Sequence, residues 1–255
     1  MKIVHNEQSS CYYAFRRFVK HFFMEFIFFN DASKLKGVNL PKSQVGFKKM
    51  SRICSSAEIL FAKKGFYDTS IAEICSHAKT AIGTYYIYFQ DKTAIYNFLV
   101  RNYYVVINNY LNKSTGDCKT RYEMEREGLK AFIRFGQANP QCYKIIWGSS
   151  HIDPALFEDY YTGFAKNYVA ALKKFSKEIV EIDYSTMAWF LMGIATFIAL
   201  KVVLNHKRLT AKELNTLVDE VMVLLSHGMF SGAKPEKAAL PKNKVTSKVT
   251  SKEKK

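Results

Sequence analysis

Apolar positions recur at helical spacing along most of the chain, and the clearest pattern lies within residues 51–96. One helix face is marked there by four apolar residues, Ile53, Ala57, Leu60 and Phe61. This spacing predicts a helix that ends near Lys64, because Gly65 readily takes a backbone conformation that reverses the chain. The pattern resumes after Gly65 and indicates a compact helical unit.

Two further helices are predicted in this unit. Thr69 or Ser70 can cap the first of them, and Glu73 completes a capping-box pattern with Ser70. After a break at residues 79–80, residues 81–88 carry apolar side chains at near-helical spacing, with Thr and Tyr hydroxyls between them. Such a pair of short helices suits the major groove of DNA. The alternative is a three-helix unit that only packs, since such faces occur in any all-α domain.

The same stretch resembles the helix-turn-helix signature of the tetracycline-repressor (TetR) family of bacterial regulators. The matching positions are Leu60-Phe61, Gly65, Thr69-Ser70-Ile71, Ile74, Ala78, Gly83-Thr84, Tyr86, Tyr88-Phe89 and Asp91-Lys92. The resemblance implies an all-α protein, with an N-terminal three-helix DNA-binding head joined by a long helix to an α-helical ligand-binding and dimerisation body. It also implies a transcriptional repressor that a small-molecule ligand releases from its operator.

The DNA-binding residues that the resemblance and the helix faces indicate are Lys48, Lys49, Thr69, Ser70, Thr80, Ala81, Ile82, Gly83, Thr84, Tyr86, Tyr88 and Lys92. Thr80, Thr84 and Tyr86 are expected nearest the bases, and Tyr88 and Lys92 on phosphate. The turn departs from the family pattern, because Lys79, Thr80 and Ala81 replace Gly, an aliphatic residue and Ser. The helix cap would then fall to Thr80, or the helix would begin one residue early, with Lys79 in a glycine-like conformation.

The body pattern predicts six helices, over residues 91–111, 120–139, 141–147, 154–179, 184–205 and 210–229. Residues 184–205 are apolar nearly all round, but their uncharged core from Met187 to Leu200 is too short to span a bilayer. We therefore expect a buried helix and no stable membrane insertion. The last two helices resemble the pair through which family members form homodimers, and a partner would cover the apolar surface.

The resemblance implies a ligand pocket, and the body has an unusual number of large aromatic and Met side chains that could line one. The candidates are Tyr104, Phe135, Tyr143, Trp147, Phe157, Tyr161, Phe164, Trp189 and Met192. Taken singly, each of them is more often ordinary core. We expect a cavity of about 300 Å³ or more that holds a small apolar or aromatic ligand, such as a hydrophobic cation or a flat ring.

These patterns divide the chain into an N-terminal extension (residues 1–45), the head (46–96), the body (97–232) and a disordered basic tail (233–255). The extension carries an aromatic-rich amphipathic segment that either packs on the body or lies on a membrane surface. A third possibility is that the protein begins at Met24 or Met50.

Composition narrows the function. The chain has 255 residues with 48% hydrophobic content and a net charge of +16, concentrated at its two ends, which fits a nucleic-acid partner. The resemblance implies that this partner is double-stranded DNA with a pseudo-palindromic operator. Five scattered cysteines indicate reduced thiols in the cytoplasm. The sequence has no phosphate loop, nucleophile elbow or zinc motif, so we expect neither enzymatic activity nor a cofactor. The alternative function is a membrane-surface or protein-interaction protein without an inducer.

Overall fold

The computed structural model describes residues 36–206 and 208–229, so the extension up to residue 35 and the tail 233–255 lie outside the described residues. The regular structure in these ranges is α-helical, as the sequence predicted, apart from one isolated β-bridge between Val38 and Phe89. The helices are α1 (Gln44–Lys64), α2 (Ile71–His77), α3 (Ile82–Tyr88), α4 (Lys92–Thr115), α5 (Arg121–Ala138), α6 (Pro140–Ile152), α7 (Pro154–Lys174), α8 (Tyr184–Leu204) and α9 (Ala211–His227).

The head consists of α1 to α3, packed around buried apolar side chains of all three helices. The capping box that the sequence predicted at α2 is present, because Ser70 accepts from the Glu73 N–H and Glu73 accepts from the Ser70 N–H. Gly65 ends α1 with a φ of 88°, a left-handed conformation that a side chain would resist.

The first head helix begins earlier than the periodic stretch that marks it in the sequence. Ser43 caps α1, so the helix begins seven residues before residue 51. Residues 37–39 pair with the end of α3: the Asn39 N–H donates to the Tyr88 carbonyl at 2.8 Å. Lys48 and Lys49 are exposed residues of α1 itself.

The body is built around α4, which continues from the head without a break through the predicted domain boundary at residues 96 and 97. Helices α5, α7 and α8 pack side by side, and α9 packs on α5. The predicted helix at 141–147 is longer, reaching Ile152, and the predicted helix at 154–179 ends earlier, at Lys174.

Helix α8 is less buried than the sequence predicted. It is long and apolar enough to cross a membrane by length and composition, with a mean hydropathy of 2.1, yet only 22% of its most apolar window is buried in one chain. One side packs on α5 and α7 through residues such as Ala188 and Ala199, which are fully buried. The other side leaves Phe190 and Phe197 exposed.

Candidate DNA-binding head and ligand cavity

The reading helix α3 presents a surface of small and apolar groups with one hydroxyl-bearing ring. Ile82, Tyr86 and Ile87 are each about half exposed or more, at 49%, 51% and 59%. Gly83 lies between them, and a Cβ placed there would touch no other atom, so this part of the helix is open to a close approach. Thr84 is partly exposed on the same side. Ile87 was missing from the sequence prediction, although it follows Gly83 by one helical turn.

The turn before α3 resolves the question that the sequence left open. Lys79 adopts a φ of 51°, so it takes the glycine-like conformation that was expected of it. The N-cap is Ala81, and no side chain caps the helix, so both options that the sequence offered are wrong. The Thr80 N–H instead donates to the Cys75 carbonyl at 3.0 Å, which closes the end of α2.

Two predicted DNA-binding residues are buried in the head. Thr69 is 1% exposed, and its hydroxyl donates to the Gly65 carbonyl at 2.7 Å. Tyr88 is 6% exposed and packs in the head core rather than on the outer face of α3. The periodicity of so short a helix did not fix the face of Tyr88, and Thr69 lies in the loop before α2. Both side chains support the fold instead of a DNA surface. Ser70 is exposed, but its side chain is engaged in the capping box.

Lys92 also has a different environment from the phosphate contact predicted for it. Its ammonium donates to the carbonyls of Phe66 at 2.7 Å and Thr69 at 2.8 Å, and it lies 4.4 Å from the centre of the Phe66 ring. These contacts join the N-terminus of α4 to the α1–α2 loop. By contrast, Lys48 and Lys49 are exposed on α1.

A cavity of about 200 Å³ lies inside the body, smaller than predicted. Six of the nine predicted residues line it: Phe135, Tyr143, Trp147, Tyr161, Phe164 and Met192. The other three do not. Tyr104 packs edge-on against Phe164, Phe157 packs against Tyr161, and Trp189 is 48% exposed on α8.

The cavity wall also carries a charged pair that the sequence analysis missed. Arg121, at the start of α5, pairs with Glu125 one turn later, and the Tyr168 hydroxyl donates to the other Glu125 oxygen at 2.5 Å. Burial, and then the Glu125 carboxylate, raise the pKa of Tyr168 far above its ordinary value, so this hydroxyl keeps its proton. Spacing alone could have suggested the Arg121–Glu125 pair, but not that it faces a cavity.

Head and body are joined by a polar cluster at the carboxylate of Glu58 on α1. Glu58 accepts from the Tyr103 hydroxyl of α4 at 2.7 Å and from the Gln141 amide of α6 at 2.9 Å. Helix α6 makes two further polar contacts with head-side elements. The Lys144 ammonium donates to the Ala62 carbonyl at 3.1 Å, and the Tyr96 hydroxyl donates to the Ile145 carbonyl at 2.5 Å.

Within the described ranges, no three His, Cys, Asp or Glu side chains are grouped closely enough to hold a metal ion. The four cysteines that fall there, Cys54, Cys75, Cys118 and Cys142, are free thiols. Burial raises the pKa of Cys54 and Cys142 well above the usual value, which keeps both in the unreactive thiol form.

A three-helix head exposes the second helix of a helix-turn-helix, and a long helix carries this head on an all-α body, an arrangement suited to insertion of that helix into the major groove of DNA. Residues 53–98 match the model for bacterial regulatory proteins of the tetR family. The head of this chain is thus similar to the DNA-binding region of that family.

A curated relative is similar to part of the chain. The chain is 33% identical over 147 residues to the uncharacterized HTH-type transcriptional regulator YuxN of Bacillus subtilis, a match that covers 49% of this chain and 50% of YuxN. The chain thus spans about half the length of that curated relative.

Solved structures show the fold beyond the head. The structure of the fatty acid degradation regulator FadR of Bacillus halodurans aligns with 74% of this chain and over 98% of its own length, with a TM-score of 0.64 at 16% sequence identity. FadR of Bacillus subtilis, solved with stearoyl-CoA, covers 71% of this chain and 100% of its own, with a TM-score of 0.59 at 17% identity. At such identities these likenesses concern the arrangement of helices.

Proposed function

We propose that the protein is a cytoplasmic repressor that binds its operator as a homodimer and leaves it when a small ligand enters the body cavity. One observation carries this proposal. Helix α6 lines the cavity through Tyr143 and Trp147, and it is also hydrogen-bonded to head helix α1 through Gln141. A molecule in the cavity therefore contacts the helix that holds the head.

The DNA contacts we propose follow the exposed surface of the head. Tyr86 and Ile87 of α3, with Thr84 beside them, face the base edges in the major groove, and Gly83 allows the helix to approach closely. Lys48 and Lys49 face the phosphates, where a cation contributes to affinity for any sequence. Thr69, Tyr88 and Lys92 drop out of the interface, because their side chains are used inside the head.

The dimer surface we propose lies on α8 and α9. Five large apolar side chains of these helices are more than half exposed in the single chain: Phe190, Phe197, Leu204, Val223 and Leu224. Exposed apolar area of this size is costly in water and is typical of a surface that a partner covers. An isologous pairing of the two helices with their copies would place two heads side by side for two half-sites.

The ligand we propose is small and largely apolar, because the cavity wall consists mainly of aromatic and aliphatic side chains. The apolar chain of stearoyl-CoA in Bacillus subtilis FadR is a precedent for such a ligand in a body of similar fold. A volume of about 200 Å³ is below the usual range of roughly 300–1,000 Å³ for drug-sized ligands, so the cavity fits a smaller molecule or widens on binding.

The experiment that tests the proposal has two stages. Purified full-length protein is first used to select duplexes from a random DNA library, and the enriched sequences should contain two inverted half-sites about one helical turn apart, or a multiple of it. Binding of the selected duplex is then titrated with small apolar compounds. Absence of any enriched inverted sequence would contradict DNA recognition, and operator binding that no compound changes would contradict the inducible mechanism.

A further inference from the structure

The cavity runs along much of α5. Its wall includes α5 residues from Arg121 to Phe135, a stretch of about 21 Å at the helical rise of 1.5 Å per residue. This extent along one helix favours an extended chain over the flat ring system expected from the sequence.

The charges that line the cavity are balanced before any ligand enters. The ionisable Arg and Glu side chains in the wall are Arg121 and Glu125, which pair with each other and are only 8% and 14% exposed. Both carboxylate oxygens of Glu125 already accept hydrogen bonds, from Arg121 and from Tyr168. Two backbone N–H groups at the start of α5 are also used, since the Arg121 N–H donates to the Glu178 carboxylate and the Glu123 N–H to the Thr120 hydroxyl.

A charged ligand would disturb this balance. A carboxylate could bind Arg121 only in competition with Glu125, which would leave a buried carboxylate without its cation. A cationic head would in turn compete with Arg121 for Glu125. An uncharged head avoids both penalties, because it leaves the pair intact.

The guanidinium of Arg121 still has a hydrogen bond to give. Its Nε is buried and has no hydrogen-bond partner within the described part of the chain, although a buried N–H normally has one. A carbonyl or ether oxygen on a ligand could accept from this edge of the guanidinium while Nη2 stays on Glu125.

We propose that the ligand is an uncharged linear amphiphile, an apolar chain that lies along α5 with a carbonyl-type acceptor against Arg121. This inference rests on the proposed function of the cavity and adds the chemical class of its occupant. Esters, thioesters, amides and ketones of aliphatic chains share this chemistry. It replaces the hydrophobic cation and flat aromatic compound that composition alone suggested.

Three probes with the same chain and different heads test it: methyl octanoate, octanoate and octyltrimethylammonium. Their binding to the full-length protein is measured by calorimetry, with quenching of Trp147 emission as a second readout, since Trp147 lines the cavity. Methyl octanoate should bind most tightly of the three. Equal or tighter binding of octanoate or of the cation would overturn the uncharged head, and failure of all three to bind would overturn the linear class.

A matched pair of variants identifies the anchor. Arg121→Lys keeps a cation for Glu125 but removes Nε, so affinity for methyl octanoate should fall about tenfold or more. The control is Arg126→Lys, the same change five residues further along α5. Arg126 pairs with Asp219 outside the cavity, so this variant should bind methyl octanoate with unchanged affinity. Equal affinities of the two variants would refute the role of Arg121.

The comparison of the three probes in the wild-type protein holds even if Arg121→Lys fails to fold. Operator binding without any ligand is measured alongside. A protein that binds its operator but none of the probes contradicts the ligand class alone, whereas a protein that binds no operator contradicts the proposed function itself.

Discussion

The hydroxyl of Tyr103 is the most informative single group at the joint between head and body. Tyr103 is 6% exposed, and its hydroxyl donates to the Glu58 carboxylate at 2.7 Å. The change Tyr103→Phe removes this donor and leaves the ring packing in place. A hydrogen bond to a charged group contributes about 1.5–3 kcal/mol, so the free energy of unfolding should fall by about that amount.

Thermal unfolding followed by circular dichroism measures this change at a fixed protein concentration, since a dimer's midpoint depends on concentration. For a chain of this size, the expected loss corresponds to a decrease in Tm of about 3–12 °C. The control is Tyr122→Phe, which removes the same atom from a ring that is 51% exposed on α5 and should change Tm by less than about 2 °C.

A double-mutant cycle with Glu58→Ala separates the hydrogen bond from general loss of packing. Because Tyr103 and Glu58 share the bond, the two changes together should cost less than the sum of the single changes, by about 1 kcal/mol or more. The ligand's effect on operator affinity should also shrink in Tyr103→Phe, because one link from α4 to α1 is gone. An unchanged Tm, or a strictly additive cycle, would refute the role of Glu58 as the joint between head and body.

Three further predictions follow from the head and the apolar surface. Tyr86→Ala should reduce operator affinity by about 1–3 kcal/mol in gel-shift titrations. Lys49→Ala should weaken binding to all DNA sequences alike and lower the slope of log affinity against log salt concentration by about one. Equal effects of the two changes on binding to random DNA would contradict the assignment of Tyr86 to the base edges. Phe197→Glu with Leu224→Glu should give monomers or aggregates by sedimentation, and a wild-type monomer at micromolar concentration would contradict the dimer surface. The hydrogen bonds from Lys64 and then Ser70 lower the pKa of Glu73 to about 2. The contribution of Glu73 to stability is therefore complete above its unfolded pKa of about 4.3 and is lost as the pH falls toward 2. The difference in the free energy of unfolding between wild type and Glu73→Gln should vanish at low pH, and a difference that stays constant with pH would refute this prediction.

The order of the helices was readable from the sequence because each is marked by local signals. Capping residues at Ser70, Thr120 and Thr210 each carry a Glu three residues later, and all three capping boxes are present in the structure. Asp153 followed by Pro154 likewise marks the start of α7. These signals act over a few residues, so one sequence suffices to find them.

Which face of a short helix is exposed was harder to predict. Helix α3 has seven residues, about two turns, and its tyrosines at 85, 86 and 88 all have a ring and a hydroxyl. The structure buries Tyr85, whose hydroxyl donates to the Asp91 carbonyl at 2.9 Å, and Tyr88, while Tyr86 is exposed. The difference depends on α1 and on residues 37–39, which pack around α3 from distant parts of the sequence.

The cavity was predictable in composition and not in shape. Six of the nine aromatic and Met residues line the cavity, because large side chains on facing helices must meet in the core. The polar part of the wall is formed by Arg121, Glu125 and Tyr168. Its hydrogen bond from Tyr168 of α7 to Glu125 of α5 joins residues that are 43 positions apart, so no local sequence pattern indicates it. Tertiary packing alone makes an ordinary i, i+4 ion pair on α5 into part of a buried cavity wall.

The positions of these features suggest how binding in the body reaches the head. Helix α6 has no charged side chain in the cavity wall, so a ligand acts on it through the bulk of Tyr143, Ile146 and Trp147. The opposite contacts of α6, from Gln141 to Glu58 and from Lys144 to the Ala62 carbonyl, are directional hydrogen bonds that tolerate little displacement. A chain that widens the cavity must then either break these bonds or move α1 with α6. In both cases the equilibrium between head positions changes by the ligand's differential affinity for them, which is the free energy available to release DNA.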